Sequence, residues 1–162
     1  MTSAEQSSVK ILFVDNDKEL LLTLVKLLDG ESFELITAAS GEEGLEIISN
    51  TEGIGVVVSE RTMPSMNGIE FLSRAWELSP DSLRIMLTCH DAPGVEQEAL
   101  FRAGAFRLIA KPWRNEELIK ALRDTVSTYM LIRENRHLTT LLSSGTGDKA
   151  ERPRQKTFFA TP

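Results

Sequence analysis

One cysteine, Cys89, stands in 162 residues, so no intramolecular disulfide can staple the chain. A reducing cytoplasm is the compartment this implies. Positive charge is also short: 18 basic residues against 24 acidic give a net charge of −6. That balance argues against a general nucleic-acid or anionic-membrane binder. No apolar run approaches the ~20 residues of a membrane span. Residues 1–8 are polar and have no apolar signal-peptide core. The first strand candidate is followed by no glycine fingerprint, which argues against a dinucleotide site, and Gly53 and Gly55 are too sparse for a phosphate loop. What remains is an ordinary globular balance, 41% apolar and 26% charged, at a length that can bury a core without staples.

Along the chain, short apolar runs alternate with helical periodicity. Strands are predicted at Lys10–Val14, Phe33–Ala38, Ile54–Val58, Leu83–Leu87 and Phe106–Ala110. Helices are predicted over Glu19–Leu28, from Ser40, over Ile69–Leu78, over Val95–Arg102 and from about Asn115. Ser40 and Glu43 stand at capping-box spacing. Residues 60–67 read as a loop, punctuated by Pro64 and Asn67-Gly68. Five strand–helix repeats imply an α/β, doubly wound, five-stranded parallel sheet of order 2-1-3-4-5, a flavodoxin-like arrangement, with an extended C-terminal helix. Ligands of such sheets bind outside the carboxyl ends of the strands. Asp15, Asn16 and Asp17, then Glu60, Thr88 and Lys111, stand at four of those ends, which places four segments on one pocket.

Four blocks, Val14-Asp15-Asn16-Asp17, Glu60 to Gly68, Leu87-Thr88-Cys89-His90 and Lys111-Pro112, resemble in order and spacing the signature blocks of response regulator receiver domains. The resemblance covers roughly residues 10–126. It implies a magnesium site at the acids after strand one, an acceptor aspartate after strand three that takes a phosphoryl group from a histidine kinase, and a Thr/Ser and a Lys that bind the phosphoryl oxygens. Magnesium and lysine would neutralise the charge that develops on the transferred group, and the hydroxyl would donate a hydrogen bond. The resemblance further implies a cis peptide before Pro112.

The chain departs from that pattern where the chemistry is done. Asp15, Thr88 and Lys111 match. Asn16 replaces the acid that binds metal directly, Glu60 replaces the acceptor aspartate, and Leu108 fills the usual aromatic switch position. The implied metal set, Asp15, Asn16, Glu60 and Thr62, thus loses a charge, leaving weak magnesium binding or none. Glu60 carries its carboxylate ~1.5 Å further than an aspartate would. In-line attack tolerates such displacement badly. The displaced carboxylate can instead occupy part of the phosphoryl position, pair with Lys111 and accept the Thr88 hydroxyl proton. The implied function is a degenerate receiver: a non-enzymatic, phosphorylation-independent signalling module that acts by protein–protein contact. A histidine kinase or a downstream output protein is the implied partner. A receiver phosphorylated on Glu60 with magnesium and a plain dimerisation or adaptor module are the alternatives.

Other residues have plainer readings. Asp17 is either a substitute metal ligand or a first-turn acid of the next helix, the latter preferred. Cys89 reads as small and buried. His90 reads as an exposed loop residue or a pH-sensitive gate, and His137 as solvated. Trp76 and Trp113 read as packing residues. The chain divides into a disordered start (1–8), the receiver-like domain (9–128), a helical extension (129–143) and a disordered tail (144–162) that holds Phe158-Phe159 and no room for an output domain. In the extension, Leu131, Asn135, Leu138 and Leu142 fall at steps of four, three and four, a short coiled-coil seam with one polar position. It serves a homodimer or linker, or its leucines cover the domain's own surface; the first reading is preferred.

Overall fold

The computed structural model describes residues 8–89 and 94–145, with Val95 described by its backbone alone. Five strands alternate with five helices: β1 (Lys10–Val14), α1 (Lys18–Leu27), β2 (Glu34–Ala38), α2 (Gly41–Asn50), β3 (Ile54–Glu60), α3 (Gly68–Leu78), β4 (Leu83–Cys89), α4 (Val95–Arg102), β5 (Ala105–Lys111) and α5 (Asn115–Gly145). All neighbouring strands pair in parallel, in the order β2-β1-β3-β4-β5.

Alternation along the strands builds two apolar cores, because successive side chains point to opposite faces. Leu12, Val14, Val57 and Met86 meet Ile48 of α2, Ile69, Phe71, Leu72 and Ala75 of α3, and Ala99 of α4. Ile11, Phe13, Val56, Val58, Ile85, Leu87 and Ile109 meet Leu21 and Leu24 of α1, and Leu118, Leu122 and Val126 of α5. Helices on both faces leave β3 buried along its whole length.

Local signals fix where the helices start. Asp17 caps α1, accepting from the Glu19 and Leu20 amides. Ser40 caps α2 through the Glu43 amide, and the Glu43 carboxylate reaches back to the amide of Ala39, one residue before the position a capping box uses. Asn67 caps α3 through the Glu70 amide.

Three strands run further than their sequence periodicity predicts. Glu60, expected in a loop, is the last residue of β3 and pairs with Leu87. Thr88 and Cys89 continue β4, opposite Ala110 and Lys111 of β5. The ladder, which depends on backbone amides and not on side-chain polarity, carries these polar residues inside the sheet.

Helix α5 runs through Gly145, past the expected stop at Ser143. The described chain resolves into two units, one ending at Met130 and one beginning at Leu131. Residues 1–7, 90–93 with His90, and 146–162 with Phe158-Phe159 lie outside the described residues. Among the described residues, no helix is long and apolar enough to cross a membrane.

Candidate functional site

The carboxyl ends of β1, β3 and β5 deliver one charged cluster. Asp15, directly after β1, is 1% exposed. Its Oδ1 accepts the Asp17 amide at 2.9 Å and its Oδ2 accepts Lys111 Nζ at 2.9 Å. Glu60 ends β3 and is 8% exposed. Its Oε1 accepts the Thr62 amide at 3.2 Å. Its Oε2 is buried and meets the Lys111 ammonium as an ion pair. Lys111 ends β5, followed by a cis bond to Pro112, and its Nζ lies 5.7 Å from the centre of the Trp113 ring. One ammonium thus bridges two carboxylates from two other strands.

Burial by itself would lower the Lys111 pKa, because it penalises the charged form. The hydrogen bonds and charges of Glu60 and Asp15 outweigh that penalty and hold the pKa above the ordinary lysine value. The cluster of Asp15, Glu60 and Lys111 carries one net negative charge, and both carboxylates are already engaged by the protein's own cation.

Backbone close to Glu60 is tightly set. A Cβ on Gly68 would fall 2.2 Å from the Glu60 carbonyl oxygen, and the Gly68 amide donates to the Arg61 carbonyl at 2.8 Å. Only glycine fits there, so the first turn of α3 seats directly against the end of β3.

The remaining site candidates take different places. Asn16 is exposed. The Asp17 carboxylate is used as the α1 cap. Thr62 is exposed and reaches Glu60 through its amide. Thr88, on the neighbouring strand, makes no hydrogen bond to Glu60, contrary to expectation: Glu60 turns to Lys111 and the Thr62 amide instead. Leu108 is half-buried against the α2–α3–α4 core. Cys89, expected to be buried, is exposed at the last rung of β4, opposite Lys111. With Asp17, Leu20, Lys111, Pro112 and Trp113 it lines an open depression beside the cluster. His137 is exposed.

A magnesium ion, as the resemblance implies, fits this donor set poorly. Asp15 and Glu60 share Lys111, the adjacent Asn16 is neutral, and Asp17 is committed to α1. Among the described residues no three Asp, Glu, His or Cys side chains come together as a metal site.

Arg84 escaped the sequence reading. It is 7% exposed on β4, donates to the carbonyls of Ser82, Ala103 and Gly104, and stacks on Trp76 at 4.7 Å. Burial lowers its pKa. It pins the turn between α4 and β5 to β4. The available signal was a lone charge within the apolar run Leu83–Leu87.

Residues 11–123 match the family model of the response regulator receiver domain. The C4-dicarboxylate transport transcriptional regulatory protein DctD of Rhizobium meliloti is 29% identical over 128 residues, 79% of this chain and 27% of that protein. The transcriptional regulatory protein CpxR of Escherichia coli is 34% identical over 116 residues, 70% of this chain and 47% of that protein. The chain therefore spans about a quarter to a half of the length of these relatives. A crystal structure titled adenylate cyclase from Rhodopirellula baltica superposes with a TM-score of 0.77 at 31% identity, covering 82% of this chain and 98% of that one.

Proposed function

The chain belongs to the response regulator receiver domain family of two-component signalling, and from that premise we propose that it is a degenerate receiver, which signals by protein–protein contact without phosphorylation. The observation that carries this reading is the Asp15–Lys111–Glu60 bridge. In it a glutamate fills the acceptor position, and the lysine meant for a phosphoryl oxygen already holds that glutamate's carboxylate. Phosphoryl transfer to Glu60 requires its oxygen to leave Lys111 and attack in line, with a second cation to neutralise the donor. Asn16 gives that cation no charged ligand.

On this reading the Glu60 carboxylate stands in for part of a phosphoryl group. Asp15, Glu60 and Lys111 fix one state of the strand ends, and Thr88 has no phosphoryl oxygen to bind. The module works in the cytoplasm, catalyses nothing, and passes its state to a histidine kinase or a downstream output protein.

The test is mass spectrometry of the intact protein after incubation with magnesium and acetyl phosphate or phosphoramidate. The expected result is an unchanged mass. A stoichiometric gain of one phosphoryl group that disappears in Glu60→Gln refutes the reading and establishes glutamyl phosphorylation instead.

A further inference from the structure

The turn from β3 into α3, with α3 itself and α4, lines another depression, of about 310 Å³. That volume is at the lower end of the range for small-molecule sites. Arg61 directly follows Glu60 in the chain, yet it lines this depression and takes no part in the Asp15–Glu60–Lys111 cluster. It is half-buried, and among the described residues its guanidinium has no hydrogen bond or ion pair. Met63 and Ile69, each 7% exposed, supply an apolar wall. Glu70 of α3 and Glu98 and Arg102 of α4 bring further charge.

Those further charges are already paired, but only in part. Glu70 accepts from Arg74 and Glu98 from Arg102, each one helical turn along and each through Oε1. Among the described residues, neither Oε2 accepts a hydrogen bond, so each carboxylate keeps an oxygen open to a donor. Exposed pairs of this kind are weak and yield to a competing partner. The depression thus offers one uncommitted guanidinium, two carboxylate oxygens and an apolar wall. A guanidinium takes a carboxylate as a two-pronged fork, and a carboxylate oxygen takes an ammonium. A polyanion would set its phosphates against Glu70 and Glu98. A hydrocarbon would leave Arg61 covered and unpaired.

We propose that this depression binds a small zwitterion, an α-amino acid with an apolar side chain. Its carboxylate meets Arg61, its ammonium meets the Glu70 and Glu98 carboxylates, and its side chain lies on Met63 and Ile69. The turn that presents Arg61 and Met63 is held in one shape by its backbone. Ser65 has φ 67°, the only positive φ among the described non-glycine residues, and the Met66 amide closes on the Pro64 carbonyl at 2.8 Å. That three-residue turn is a rare and costly conformation, of the kind kept where a site is organised in advance. Bound there, the zwitterion ties the residue after Glu60 to α4. It gives the module an input that needs no phosphoryl group, and it stands whether or not Glu60 is ever phosphorylated.

Ligand-observed NMR titration of the full chain tests it, with leucine, isoleucine, valine, methionine and phenylalanine as probes. The solution holds neither magnesium nor a phosphodonor, so the outcome is separate from any labelling of Glu60. At least one probe should bind with a dissociation constant of about 1 mM or tighter. Its deaminated and its decarboxylated analogue, 4-methylpentanoate and 3-methylbutylamine in the case of leucine, should each bind about tenfold more weakly or worse. Arg61→Gln should weaken binding about tenfold or more, and so should Glu70→Gln with Glu98→Gln. Lys26→Gln, on the exposed face of α1, should leave it unchanged. Circular dichroism of each variant checks that the fold is retained. Absence of binding by all five probes at about 10 mM overturns the proposal. So does binding that survives Arg61→Gln in a folded variant, or that the deaminated analogue equals. Displacement of the amino acid by an equal concentration of inorganic phosphate also overturns it, since the depression would then be a plain anion site.

Discussion

The bridge between Glu60 and Lys111 makes a prediction whose size follows from its geometry. Both groups are largely withdrawn from water, at 11% and 24% side-chain exposure. Breaking a buried pair by removing one partner costs ~3–5 kcal/mol when the other charge is left alone. Here Asp15 stays within 2.9 Å of Lys111, so the ammonium is not orphaned. Glu60→Gln also removes the repulsion between two carboxylates that share one cation. The single substitution should therefore destabilise by only ~1–2 kcal/mol, within the range of one charge-assisted hydrogen bond. Lys111→Met should cost more, ~3 kcal/mol or above, because it leaves Asp15 and Glu60 buried with no cation between them. The double variant separates pair from context. Its coupling energy, from denaturant unfolding of all four proteins, should be ~1.5 kcal/mol or more. Unfolding can be followed by tryptophan fluorescence, since Trp113 lies 5.7 Å from the ammonium. A coupling below ~0.5 kcal/mol, the usual limit of additivity between independent sites, would show that the carboxylate does not hold the lysine and would remove the basis of the proposed phosphoryl mimicry.

Rebuilding the acidic pocket with Asn16→Asp and Glu60→Asp should confer magnesium-dependent phosphoryl labelling, read as intact mass; an inert double variant would mean that more than these two side chains disables the site. Gly68→Ala should destabilise by ~1–3 kcal/mol and disturb the site, since its Cβ would meet the Glu60 carbonyl at 2.2 Å; a melting temperature equal to wild type would contradict that packing. Arg123 donates through Nε and Nη2 to Glu31 and, chiefly by that hydrogen bonding, holds the Glu31 carboxyl below its ordinary pKa. Its contribution is therefore present above the usual glutamate pKa, ~4.3, and is lost as pH falls through the depressed folded value. Wild-type and Arg123→Gln stability curves should differ modestly at neutral pH and converge in acid, and curves that stay parallel would exclude the linkage.

Hydrophobic period alone decided the elements and their order, because apolar runs of strand length alternate with helical stripes and parallel α/β sheets allow few topologies. The same sequence placed Asp15, Glu60 and Lys111 at strand ends, since polar residues that interrupt apolar runs are visible without coordinates. Tertiary structure decided what those residues do. Which oxygen takes Lys111, and that Thr88 takes neither, depends on the ladder that carries Glu60, Thr88 and Lys111 inside the sheet, and pairing register is not written in any one strand. Cys89 looked buried by residue type and is exposed by position. Arg84 looked unremarkable and is an anchor, because two of its three carbonyl partners lie about 20 residues away along the chain. The extension divides the same way: the leucine spacing was legible, but the helix runs through Gly145, past the stop that Ser143 suggested.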